Sequence, residues 1–201
     1  MIYYIYGDEL DDFPDLRDGM FRDRARQFKE RLGWSVEVDA LGCEHDEYDA
    51  LNPLYIIAPS TDGGHGGSMR FLPTTGPVMV NEHFSHLNND VKLVSPLVWE
   101  CTRFCLSPQD HVPKRTAARL MLAAAVMGQR FRLSHAVGVF DAPMQRVYRA
   151  LGWAPDILGR SGVGRDAISV GLWAFDNAPL SRLGSRAEVP LSVAECWRIP
   201  R

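Results

Sequence analysis

No stretch of this sequence stays apolar over the roughly 20 residues that a membrane span requires. The opening Met1 to Gly7 is too short for a secretion signal and lacks its basic start. A cytoplasmic protein is therefore expected. Basic residues are not in excess: 22 Lys and Arg stand against 25 Asp and Glu, a formal charge of −3, which gives bulk nucleic-acid binding no electrostatic footing. Cysteine is scarce, with four in 201 residues. Cys101 and Cys105 lie four apart in a segment that reads as strand, about 13 Å along it and beyond disulfide reach. No Cys-x-x-Cys spacing is present, so free thiols are expected and zinc is not. His83 and His86 lack the companions of a metal-binding helix. The glycines at 63, 64, 66 and 67 are not followed by the Lys and Ser/Thr of a phosphate loop. Neither Gly-x-Ser-x-Gly nor a Ser/His/Asp arrangement is visible along the chain.

What is present is ordinary for a folded chain: 46% hydrophobic and 23% charged residues, enough for one domain over 1–201 with its own core. Ile2 to Tyr6 reads as a strand, and Leu16 to Leu32 as a helix stopped by Gly33, with Leu16, Met20, Arg24, Phe28 and Leu32 at a spacing of four. Residues 34–52 show no period and read as a long acidic loop, its carboxylates repelling one another. Leu54 to Ala58 and Ser68 to Leu72 form a hairpin, and Leu97 to Leu106 a further strand. Lys114 to Gln129 is a helix, Leu133 to Phe140 a strand, Ala142 to Leu151 a helix and Ile168 to Phe175 a last strand. The order predicts an α/β fold (α+β layers) with a mixed sheet.

Four local patterns stand in order. Arg24 and Phe28 are spaced Arg-x-x-x-Phe, followed by Leu32, Gly33 and Trp34. Asp46 and Asp49 lie in the acidic loop. Arg70 opens Arg-Phe-Leu-Pro-Thr, with Pro77 and the aromatic Phe84 beyond it. Trp99, Glu100, Arg103 and Phe104 complete Trp-Glu-x-x-Arg-Phe. Together, over about residues 20–105, these resemble the LuxI-type acyl-homoserine-lactone synthases, the autoinducer synthases of bacteria. The resemblance implies a GNAT acyltransferase-like twisted mixed sheet with a cleft, helices on both faces. It implies transfer of an acyl chain from acyl carrier protein (acyl-ACP) or acyl-CoA to the amine of S-adenosylmethionine, then lactone closure with release of methylthioadenosine.

By that resemblance Glu100, Arg70 and Arg103 are catalytic, with Glu100 the base for the amine, directly or through water. Arg24, Phe28, Trp34, Asp46, Asp49 and Phe84 surround S-adenosylmethionine, which is a substrate, and no metal is implied. From the residues alone, Glu100 reads equally as half of an ion pair with Arg70 or Arg103. A regular strand sends Glu100 and Arg103 to opposite faces, so a shared cleft demands a β-bulge between them. The acyl-pocket candidates are Val98, Thr102, Phe104, Met121, Leu122, Ala125, Val137, Gly138, Val139 and Met144. Family members making 3-oxo products often carry Thr near Gly138, so its absence points to an unsubstituted chain, and the small Ala124, Ala125 and Gly138 leave room for a medium or long one. Seven basic residues between Lys114 and Arg149, against Asp141 alone, offer an acidic carrier protein a docking face. A monomer is expected. Two other readings compete: a GNAT acetyltransferase using acetyl-CoA, disfavoured because residues 107–118 lack the pyrophosphate-binding glycines, and a silent module that binds S-adenosylmethionine or an acyl group.

Overall fold

The computed structural model describes residues 1–197. A seven-stranded sheet runs through them in the order β1-β2-β3-β4-β5-β7-β6. Its strands are β1 (Tyr3–Tyr6), β2 (Leu54–Pro59), β3 (His65–Pro73), β4 (Val98–Leu106), β5 (His135–Asp141), β6 (Asp156–Ser161) and β7 (Ile168–Ala174). All neighbours are antiparallel except β4 and β5. A parallel pair needs a crossover, and helix α3 (Pro113–Arg130) supplies it. Pro113 begins this helix, where a missing N–H costs nothing. Its alanines let it lie close to the sheet, so that the Tyr4 hydroxyl donates to the Ala123 carbonyl at 3.0 Å.

Strand alternation divides the core between two faces. On one face Tyr4, Ile56, Met69 and Phe71 pack under α3 with Trp173 and Phe140 from the far half. On the other, Ile5, Tyr55 and Ile57 pack with Leu16, Met20 and Phe21. Those last three belong to α1 (Pro14–Arg24), which continues as a π-helical turn over Ala25–Arg31. Helices α2 (Met79–Glu82) and α4 (Ala142–Leu151) follow β3 and β5. Near the C-terminus α5 (Leu180–Ala187) and α6 (Leu191–Ala194) lie against α3.

The mixed sheet flanked by helices on both faces is the expected architecture. Four elements add to the sequence-based expectation: α2, β6, α5 and α6. In addition, the segment read as a structureless loop folds into a short bridge between Val38 and Glu44 and a 3-10 turn over Glu47–Leu51.

Candidate active site

The sheet parts in the middle. β4 and β5 pair only through Val98, Glu100 and the residue between them against His135 to Val137. Beyond Glu100 the strands diverge, and β4 bulges as it does so. Arg70 faces Thr102 and Ser68 faces Cys105, so Met69 alone opposes both Arg103 and Phe104. Arg103 takes φ +52°, a left-handed conformation that a side chain seldom adopts. A bulge in this strand is the feature expected if Glu100 and Arg103 were to share a cleft; it turns Arg103 into the cleft, while Glu100 lines neither cavity.

Two cavities meet at the bulge. A broad cleft of about 950 Å³ opens on the α1 face, lined by Phe28, Trp34, Asp46, Phe84, Arg103 and Met144 among others. A narrow cavity of about 50 Å³ lies on the α3 face, between Cys101 to Phe104 of β4 and Gly138 to Phe140 of β5. Thr102, Arg103, Phe104, Val139, Phe140 and Tyr148 line both.

Beneath the broad cleft, three arginines meet three carboxylates. Arg24 donates to Glu44 at 2.5 Å and, through both terminal nitrogens, to Asp49 at 2.9 and 2.8 Å. Arg70 pairs with both oxygens of Asp46, reaches Asp49 at 2.6 Å and donates to the Thr102 hydroxyl at 3.0 Å. Arg103 reaches Glu44 at 2.7 Å and Asp46 at 2.8 Å. Buried charge is tolerated only when paired and hydrogen-bonded, and Arg24 and Arg70 are 0% and 1% exposed. Burial raises the Asp49 carboxyl, but the guanidiniums of Arg24 and Arg70 outweigh it and hold the group far below the ordinary carboxylate range. Asp46 and Asp49 also cap the 3-10 turn, Asp46 accepting from the Tyr48 amide and Asp49 from that of Asp46. The carboxylates around Asp46 are therefore matched by cations, not left to repel one another as the sequence implied.

The backbone supplies the aromatic wall. The π-helical turn ends at Gly33, φ +67°, and the Trp34 amide returns to the Phe28 carbonyl at 2.8 Å. That closure stacks Trp34 on Phe28, with ring centroids 5.1 Å apart and planes 19° apart. The Arg103 guanidinium covers Phe28 at 5.3 Å.

Glu100 is 1% exposed and lines neither cavity. Its oxygens accept from the amides of Met79 (2.9 Å) and Val80 (2.6 Å), not from Arg70 or Arg103. The ion-pair reading of this residue therefore fails. Burial outweighs the two amide donors and Arg70, and pushes its pKa up to about 7.

Arg70, Arg24 and Asp49 likewise sit behind the cleft wall instead of lining it. Of the acyl-pocket residues, Thr102, Phe104, Met121, Gly138 and Val139 line the narrow cavity, and Met144 lines the broad cleft. Four candidates lie elsewhere. Val98 and Val137 point to the opposite face, packed with Val80 and Val170. Leu122 and Ala125 lie one position round α3 from Met121 and Ala124, which do line the cavity. Arg115 and Arg119 of the expected docking face are engaged by the C-terminal region, with Glu188 and the Ala187 carbonyl.

Sequence reasoning missed Glu44, Tyr48, Tyr148 and Trp173. Glu44 has nothing to distinguish it from the other acids of its segment. The aromatics look like ordinary core.

A Ser/His/Asp set does exist in space. The Asp23 carboxylate lies 2.8 Å from His65 Nδ1, and Ser68 Oγ lies 3.0 Å from His65 Nε2. These side chains are buried and line neither cavity, so they tie α1 to β3 instead of meeting a substrate.

Residues 10–181 match the family model described as autoinducer synthase. The chain belongs to the autoinducer synthase family. Its relatives include an acyl-homoserine-lactone synthase of Rhizobium etli, 40% identical over 182 residues that cover 85% of each chain. Among solved structures, the CoA-dependent acyl-homoserine lactone synthase BjaI, with SAM and isopentyl-CoA, superposes with a TM-score of 0.82 at 23% identity over 94% of this chain and 90% of that one. A putative N-acetyltransferase from Lactobacillus plantarum superposes at 0.57 with 14% identity, covering 87% of this chain and 99% of that one. The fold of this autoinducer synthase is thus the GNAT-like acyltransferase fold, and the chain is an enzyme of the acyl-homoserine-lactone synthase class.

Proposed function

We propose that this autoinducer synthase acylates the amine of S-adenosylmethionine from an acyl thioester, the C–S bond breaking so that the carrier leaves as its free thiol, and that the carboxylate then displaces the sulfonium, giving the N-acyl-homoserine lactone and methylthioadenosine. The observation that carries this reading is the junction of two unlike cavities at the β4 bulge. One is broad and rimmed by acids and aromatics, suited to a cationic nucleoside. The other is narrow and apolar, suited to an acyl chain. The reacting carbonyl then belongs where they meet, beside Thr102, Arg103 and Phe104.

S-adenosylmethionine takes the broad cleft, with the Phe28–Trp34 pair as a flat wall for the purine and Asp46 and Phe84 near its cationic end. Arg24, Arg70 and Asp49 are positioning residues, because they line neither cavity and act on the cleft through Glu44, Asp46, Thr102 and Arg103. The first step needs a neutral amine. Glu100, with a pKa near neutrality, is poised to take that proton. Its burial behind Met79 makes the transfer a relay through water, not a direct contact. Lactone closure needs the carboxylate held in line with the leaving sulfonium, a task for the cleft walls. The donor is an acyl thioester, carried by coenzyme A or by acyl carrier protein.

Incubating the purified chain with S-adenosylmethionine and acyl-CoA or acyl-carrier-protein donors should release methylthioadenosine and lactone in equal amounts, read by mass spectrometry. Acetylation of other amines, with no methylthioadenosine, would favour the acetyltransferase reading. Binding without turnover would favour the silent module.

A further inference from the structure

Three small residues, Ala124, Ala125 and Gly138, promise the narrow cavity space for a long chain. The structure uses that space differently. At Gly138, a Cβ would sit 3.2 Å from the Trp173 ring and 3.1 Å from the Cys101 carbonyl. The missing side chain of Gly138 is thus filled by an indole from the neighbouring strand. Trp173 is 5% exposed, and its Nε1 donates to the Trp153 carbonyl at 3.2 Å. Its ring packs edge-on against Tyr148 (4.9 Å) and Phe140 (5.4 Å). Tyr148 lines both cavities, whereas Trp153 and Trp173 line only the narrow one and are absent from its junction with the broad cleft. A rotamer held by a hydrogen bond and two aromatic neighbours cannot swing aside cheaply.

We infer that Trp173 closes the acyl cavity and restricts the donor to short chains, about four to six carbons long. This rests on the acyl-transfer reading above. The length follows from volume. The cavity holds about 50 Å³, on a measure in which one water needs about 10–15 Å³. A methylene is about the size of a water, so about four chain atoms fit beyond a carbonyl lodged at the bulge. Each further methylene must displace packed side chains, and overpacking a filled site is costly.

The test is a series of butanoyl, hexanoyl, octanoyl, decanoyl and dodecanoyl thioesters, on coenzyme A and on acyl carrier protein, with saturating S-adenosylmethionine. Methylthioadenosine release gives kcat/KM for each. The wild-type chain should prefer butanoyl or hexanoyl over decanoyl by at least tenfold. Trp173→Ala should move the optimum to longer chains and raise kcat/KM for decanoyl at least tenfold, with the KM for S-adenosylmethionine unchanged. Trp173→Phe, which keeps an aromatic plug, should shift the optimum less. Circular dichroism and thermal melts establish which variants fold. If Trp173→Ala does not fold, the wild-type series and Trp173→Phe decide. A wild-type optimum at octanoyl or longer, or a folded Trp173→Ala or Trp173→Phe variant with an unchanged chain-length profile, would overturn the inference while leaving the proposed function intact. No methylthioadenosine from any donor would overturn both.

Discussion

The two sides of the cleft are built from opposite materials. On the β1–β3 side, Arg24, Arg70 and Arg103 interlock with Glu44, Asp46 and Asp49. On the β5–β7 side, Phe140, Tyr148 and Trp173 meet edge-to-face around an apolar cavity. Ion pairs fix direction but give little net stability, because desolvation offsets the attraction. Aromatic packing stabilises through burial. Each material suits a different substrate: oriented charge for a cation that must react in line, and a shaped apolar hole for a chain that need only fit.

The sharpest way to break this contrast is to remove one charge. Arg70→Ala leaves three carboxylates facing two arginines in a buried setting and should cost about 3–5 kcal/mol, read by urea denaturation. A loss below about 1 kcal/mol would mean that the carboxylates reach water and the network is not a structural unit.

Glu100 and Asp49 should respond to pH with opposite signs. Asp49 is held far below the ordinary carboxylate range, so its contribution is present at neutral pH, begins to fall at the ordinary carboxylate value near 3.8 and is lost as pH drops below it. Glu100 is raised from 4.5 to about 7, so the fold favours its protonated form. Its effect is a loss of stability as pH rises from about 4.5 to 7, about 3 kcal/mol at 1.36 kcal/mol per unit. Glu100→Gln should lack that decline, so wild type and variant should diverge across this window in denaturation curves. Single-turnover amide formation on the same preparations separates roles. If Glu100 relays the proton, the folded variant should be slowed ~10²–10⁴-fold and lose the low-pH limb of its rate profile. Near-normal turnover per folded molecule would make Glu100 an anchor for the Met79–Val80 amides alone.

Smaller effects lie at the rim. Trp34 is 42% exposed and stacks on Phe28. Trp34→Ala should raise the KM for S-adenosylmethionine up to about tenfold, on the scale of ~0.5–1.5 kcal/mol for an aromatic pair, with kcat and the melting temperature little changed. Smallest of all is the surface pair Arg115–Glu188. Arg115→Ala should cost no more than about 1 kcal/mol, vanishing at high salt. It should leave carrier-protein kinetics unaltered if docking lies elsewhere. A rise in KM for acyl carrier protein would restore the basic segment as a docking face.

Legibility in the sequence follows the same divide. The charged wall is legible because Arg24, Asp46, Asp49, Arg70 and Arg103 stand in recognisable spacings. The apolar wall is not. Val98 and Val137 are as apolar as true lining residues, and only their place in the stretch where β4 and β5 are still paired keeps them out of both cavities. Leu122 and Ala125 miss the cavity by one step round a helix buried on nearly every side. Trp173 and Tyr148 carry no local signal, since their role depends on what Gly138 lacks. β6 escapes detection because its exposed residues alternate in no pattern. Asp23, His65 and Ser68 become one cluster only where α1 lies across β3.

The β4–β5 seam closes over three residue pairs and then stops, which makes it mechanically a pivot, with the free ends of two strands as its arms. The gap between those arms depends on the angle at the pivot as much as on the side chains that line it. Glu100 and Val137 form the last pair before the strands part. A change of bulk there, well away from either substrate, would be multiplied along the arms and would widen or narrow both cavities at once.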